Sequence, residues 1–153
     1  MLGNRALGAF IILGSLFLGA PYVWGCSCVG PRGREILTAH AAVFTGKATR
    51  VQYLEPDRPD VEPPIVVTFE VYQAWKGPVR RTAVLRTIYN KWSCNGYYFK
   101  EGREYLVAAA RVTEDAVKRA SYDIGAVSLC GGTRELSDAK EDLADLGIGK
   151  KLR

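Results

Sequence analysis

The chain of 153 residues has one histidine, His40. With no Asp, Glu or Cys beside it at ligand spacing, that lone imidazole offers neither a His-centred acid–base pair nor a Ser/His/Asp set. It reads as a partly buried residue at a helix end. Strand phase brings no two acids together, so a paired-carboxylate mechanism is missing as well, and no enzymatic activity is expected. Basic residues do not gather into a stripe. The closest approach to a cluster is Arg80-Arg81, with Lys76 and Arg86 on either side, and no aromatics stack along a basic strand. The formal net charge of +5 therefore fits ordinary solubility, and no nucleic-acid partner is expected. Internal repeats and low-complexity segments are absent too.

Long apolar runs are also scarce. The longest, Ala6 to Ala20, is interrupted by Gly8, Gly14 and Gly19, is followed by Pro21, and is short for a membrane span. Arg5 precedes it, and Val23-Trp24-Gly25 places small enough residues at −3 and −1 of a cut before Cys26. Residues 1–25 thus have the layout of an export signal, with a retained anchor as the alternative. Residues 26–153 form the expected mature domain, long enough for one modest core, and secreted or periplasmic in location.

Only four cysteines are present: Cys26, Cys28, Cys94 and Cys130. An even number in an exported chain points to two disulfides. A bond from Cys26 to Cys28 would close a very tight ring. In an extended segment residues i and i+2 face the same side, so both can reach the two distant cysteines, and both remaining pairings stay open. A zinc site of four thiolates is the competing use, but Cys-x-Cys is poor spacing for a zinc knuckle and no second close pair exists.

Downstream, Arg32 to Ala42 is compatible with a short helix. Ala42 to Leu54 predicts a long strand whose apolar phase shifts after Ala48, which calls for a bulge near Thr49-Arg50. The proline-rich stretch Glu55 to Pro64 predicts a hairpin loop. Ile65 to Trp75 alternates cleanly, with Ile65, Val67, Phe69 and Val71 on one face. Further strands are predicted over Arg81–Tyr89, Glu104–Val112 and Tyr122–Leu129, with an irregular connection at Asn90–Glu101. Leu136, Ala139, Leu143 and Leu146 predict an amphipathic helix from an N-cap at Ser137 to a stop at Gly147, followed by a frayed basic tail at Lys150–Arg153. The expected fold is mainly β: a five-stranded OB-type Greek-key barrel with a short N-terminal helix and a C-terminal helix. A five-stranded sandwich is the runner-up.

These landmarks resemble a known family. Cys26-Ser27-Cys28-Val29 directly after an export signal, Ala42-Val43-Phe44, Trp75-Lys76-Gly77, Cys94 followed by Gly96 and Phe99, Glu104-Tyr105-Leu106-Val107-Ala108, and Cys130 are similar to the tissue inhibitors of metalloproteinases. The resemblance spans the mature chain but covers only the family's N-terminal, netrin-like domain. Of these motifs the Cys-x-Cys start is the specific one. The resemblance implies an OB barrel, disulfides Cys26–Cys94 and Cys28–Cys130, and inhibition of a zinc metalloendopeptidase. In that picture the Cys26 α-amino and carbonyl groups hold the peptidase's zinc, Ser27 enters the adjacent pocket, Cys28 and Val29 continue as a substrate-like strand, and Ser93-Cys94 lie alongside. The chain would carry no cofactor of its own and act as a monomer. It departs from the family pattern in lacking a third disulfide, in Asn95 following Cys94, and in its Gly30-Pro31 placement.

Two other functions fit the same residues. One is a secreted netrin-like binding module without inhibitory activity. The other is a lipid-anchored envelope protein, because Val23-Trp24-Gly25-Cys26 approaches a lipobox, although Trp24 is a bulky misfit. Acylation of Cys26 would remove both its bridge and its chelating amine.

Overall fold

The computed structural model describes residues 29–55, 63–77, 80–90, 95–110 and 127–152. Helix α1 spans Glu35–Ala39 and strand β1 Ala42–Tyr53. Strands β2 (Ile65–Lys76), β3 (Thr82–Thr87), β4 (Tyr89–Asn90), β5 (Asn95–Gly96) and β6 (Glu104–Ala109) follow. The described chain closes with β7 (Arg134–Glu135), a 3-10 turn at Leu136–Asp138, helix α2 (Lys140–Leu146) and β8 (Lys150–Lys151).

The architecture is mainly β: an open antiparallel sheet of six strands in the order β3-β2-β1-β6-β7, with β8 added to β2. A separate two-stranded ladder joins β4 to β5. The sixth strand of the sheet is short and C-terminal, and the pairings of the described residues do not close the sheet into a barrel.

Periodicity places the two long strands well. Ile65, Val67, Phe69 and Val71 are all buried on one face of β2. The phase shift in β1 is a bulge: Ala48 faces Phe69 and Arg50 faces Thr68, leaving Thr49 unmatched. Further register shifts lie between Val43 and Phe44 and between Thr45 and Gly46. At the latter, Gly46 lies so close to the Glu70 carbonyl that a Cβ would sit 2.6 Å from its oxygen.

At the start of β1 the inside–outside alternation fails, because Ala42 through Gly46 are all buried. The sheet is covered on both faces there. Ala42, Phe44, Tyr105, Val107 and Ala109 join the main core, whereas Val43, Leu106 and Ala108 face Ile36, Ala139 and Leu146 from the two helices. Small alanines on β6 let those helices approach closely. The main core is aromatic. Phe69 meets Phe44, Phe99 and Tyr105 edge to face at centroid separations of 5.5, 5.3 and 6.4 Å, the geometry favoured by the ring quadrupole. Tyr97 packs against Phe99 with the rings tilted, at a centroid separation of 4.8 Å. Burial first, then Tyr105 and the acids Glu135 and Asp138, push its phenol up to about 12, so it stays neutral.

Several boundaries differ from those the sequence predicts. Helix α1 is shorter than Arg32–Ala42. Gly33 takes a left-handed φ of 49° and His40 is extended, so neither can continue a helix. The strand expected over Arg81–Tyr89 breaks at Ile88, and the connection after it contains the β4–β5 ladder. Leu54 N–H donates to Pro64 O at 2.9 Å and closes the proline-rich hairpin. Strand β6 stops at Ala109, and most of the strand expected at Tyr122–Leu129 lies outside the described residues; its last three positions are not in a strand. Ser137 does not cap α2. It sits in the 3-10 turn and its hydroxyl donates to Asp138 Oδ1 at 3.1 Å, while Ala139 holds the N-cap position. Gly147 does stop the helix, with a φ of 69° and its N–H on Leu143 O.

The basic tail is part of the fold. Lys150 and Lys151 pair with Ala74 and Gln73 of β2, Leu152 N–H donates to Tyr72 O at 3.0 Å, and the Leu152 side chain packs against the main core. Trp75 Nε1–H reaches Gly147 O at 2.9 Å and fixes the approach. Leu152→Ala is expected to lower stability by about 1–2 kcal/mol, below the usual full-burial cost because the site is half-exposed, as measured by urea unfolding. A frayed tail would leave stability unchanged.

Candidate functional site

Five of the predicted site residues, Cys26, Ser27, Cys28, Ser93 and Cys94, lie outside the described residues. The segment that follows the first three is described. Residues 29–32 lie in no strand or helix, and Pro31 restricts its own φ and keeps Gly30 away from helix. Val29 is completely exposed, at 102%.

Immediately after Val29 the strip is tightly seated. A Cβ on Gly30 would collide with the Cys130 carbonyl, and Gly132 approaches Pro31 O. Only glycine lets the two backbones come so near. Cys130 sits in a turn closed by Gly131 N–H on Ser128 O at 2.9 Å, with its own N–H on Ser128 Oγ at 3.2 Å. It is disulfide-bonded, and its partner cysteine lies outside the described residues.

The far end of the strip is held by a buried carboxylate. Asp142, in the first turn of α2, is 2% exposed. Gly33 N–H donates to its Oδ1 at 2.8 Å. Arg134 Nη1 lies 2.7 Å and Arg32 Nη1 3.3 Å from its Oδ2. Arg134 also donates from Nε to Gly132 O at 3.1 Å, and so links the carboxylate to the Cys130 turn. Between strip and turn runs a shallow groove of about 270 Å³ lined by Gly30, Arg32, Leu129, Cys130, Thr133 and Arg134. Thr133 anchors its floor by exchanging hydrogen bonds with the Ala108 backbone at 2.9 and 3.1 Å.

Sequence reasoning missed the carboxylate clamp, though a signal was present. Ala139, Asp142 and Leu146 are spaced 3 and 4 apart, which puts an acid on the buried stripe of a helix. An acid there must find donors. Sequence reasoning also missed an exposed aromatic pair: Tyr53, at the end of β1, hydrogen-bonds to Tyr98, and both are about half exposed.

His40 occupies the C-cap of α1 and donates from Nδ1 to Ile36 O at 3.1 Å, a helix-end role. Among the described residues no group of three His, Cys, Asp or Glu side chains is placed to hold a metal ion, and no helix is long and apolar enough to cross a membrane. What the described site can offer a partner is main chain seated against the fold from Gly30 onward, with Val29 exposed at the start of the described strip. The chain matches no known protein-family model, and no curated protein matches it in sequence.

Proposed function

We propose that the chain is an exported inhibitor of zinc metalloendopeptidases, built on a small OB-type barrel and acting through its mature N-terminus. The observation that carries this reading is the strip at Val29–Gly33. One end is fully exposed, while the following residues are wedged against the Cys130 turn and the Asp142 carboxylate. A chain end held this way is offered to a partner with little ordering cost. The pairing Cys26–Cys94 and Cys28–Cys130 completes the arrangement, and the bonded state of Cys130 supports it. The barrel would close through the segment leading to Val127, whose carbonyl already lies 3.4 Å from Thr87 Oγ1 at the end of β3.

The chemistry follows from a free terminal amine. Its pKa near ~7.7–8.0 leaves a neutral fraction at physiological pH. The Cys26 nitrogen and carbonyl oxygen would chelate the partner's zinc in a five-membered ring and occupy the position of the hydrolytic water. Ser27 would enter the neighbouring pocket, Cys28 and Val29 would run on as a substrate-like strand, and Ser93-Cys94 would flank them.

The test begins with the intact mass of the exported protein, followed by its titration against a panel of zinc endopeptidases with a fluorogenic peptide substrate. The expected result is a chain starting at Cys26, without lipid, carrying two disulfides and inhibiting with one-to-one stoichiometry. A chain of that mass that inhibits no member of the panel would overturn the proposal.

A further inference from the structure

Among the described residues, Asp142 is the one charged side chain that is buried. A carboxylate out of water requires donors, and Arg134 at 2.7 Å already supplies the countercharge. Gly33 N–H at 2.8 Å adds something different, a directional bond to the main chain of the N-terminal strip. The left-handed φ of Gly33 lets the chain turn into α1 immediately after that N–H is engaged. Any side chain at position 33 would run into Asp145, so the residue is free to serve as a bare backbone donor. The strip has no ladder to orient it, since residues 29–32 belong to no strand. Its described contacts with the C-terminal part of the fold are Gly30 against the Cys130 carbonyl, Pro31 O against Gly132, the exposed Arg32 on Asp142 and Gly33 N–H on Asp142, and the last is its one main-chain hydrogen bond to a buried acceptor.

We propose that Asp142 is a positioning residue: from the C-terminal helix it fixes, through Gly33 N–H, the direction in which Val29 and the residues ahead of it leave the fold. The geometric half of this proposal stands by itself, and its effect on inhibition rests on the inhibitor reading above. The side chain of Arg32 is 66% exposed and contributes little to the clamp. The bond from Gly33 N–H to the side-chain oxygen of Asp142 is the one that aims the strip, and the ion pair with Arg134 serves stability.

The test uses the full exported chain, ¹⁵N-labelled, with Asp142→Ala and Asp142→Asn. Three quantities are read: amide exchange at Gly33, the inhibition constant for a zinc endopeptidase, and the melting temperature. Asp142→Ala is expected to speed Gly33 exchange about tenfold or more, as for loss of a hydrogen bond to a charged group, and to weaken inhibition by a similar factor. Asp142→Asn keeps a neutral oxygen for Gly33 but loses the pairing with Arg134. It should therefore melt as low as Asp142→Ala while recovering most of the Gly33 protection and most of the inhibition. If Asp142→Ala does not fold, Asp142→Ser takes its place, because a hydroxyl in the first turn of the helix leaves Arg134 a polar neighbour while being too short to reach Gly33. Inhibition that tracks melting temperature across the variants, or Gly33 exchange unaltered by truncation of Asp142, would overturn the proposal. If the unaltered protein inhibits no zinc endopeptidase, the inhibitor reading falls and Gly33 exchange alone decides the positioning claim.

Discussion

One alanine added ahead of Cys26 is expected to raise the inhibition constant at least about 100-fold, corresponding to about 2.7 kcal/mol. The addition turns a basic amine into an amide, whose nitrogen lone pair is delocalised and does not coordinate a metal. It also pushes an extra residue into the space of the partner's zinc and breaks the five-membered chelate. The fold should be untouched, because the described contacts begin at Gly30 and Gly33, well behind the added residue. Inhibition constants and melting temperatures of the two forms settle the matter. Equal inhibition by both would show that the chain binds through another surface, as a netrin-like module would. Lost inhibition with an unchanged melting temperature is the expected outcome.

Phe69→Ala is expected to cost about 3–5 kcal/mol, the usual range for truncating a fully buried aromatic. Against a total stability of order 5–15 kcal/mol for a single domain, that is enough to leave a sizeable unfolded population at growth temperature. Phe69 has no exposure and its ring joins Phe44, Phe99 and Tyr105, so one substitution takes an edge-to-face partner from three strands and loops at once. Ile148→Ala is the natural control. Ile148 is 98% exposed, and its truncation should stay within about 0.5 kcal/mol of the parent. Urea unfolding of both variants measures the contrast. A Phe69→Ala loss under about 1 kcal/mol would mean that the aromatic cluster is not the core.

What could be read from the sequence divides along the range of the interaction. Alternation over Ile65–Val71 and the phase shift at Thr49 are local patterns, and the strands and bulge fall where those patterns put them. Gly147 stopping a helix is local too. The inward run at Ala42–Gly46 was not legible, because its second face is buried by Ile36 of α1 together with Leu106, Ala139 and Leu146, which are remote in sequence. The pairing of Lys150–Lys151 with β2 was hidden for a similar reason. Two lysines carry no strand signal, and a free stretch of β2 edge beyond the end of β3 is what recruits them. At the candidate site, the exposure of Val29 and the stiffness of Gly30-Pro31 could be anticipated. The grip of Asp142 on Gly33 could not, since it joins residues 109 positions apart and no periodicity encodes such a pair.

The place of β1 between β2 and β6 has a consequence for how the chain is made. Strands β1, β2 and β3 are neighbours in sequence and can zip together as soon as residue 87 has emerged. The other edge of β1 must wait for Glu104–Ala109, and of the two helices that shield Val43 the C-terminal one, Lys140–Leu146, needs still more chain. During vectorial synthesis the strand destined for the centre therefore waits with one side open. An unpaired strand edge invites association with other chains, so the interval between the emergence of residues 53 and 109 is when this protein most needs a chaperone's cover.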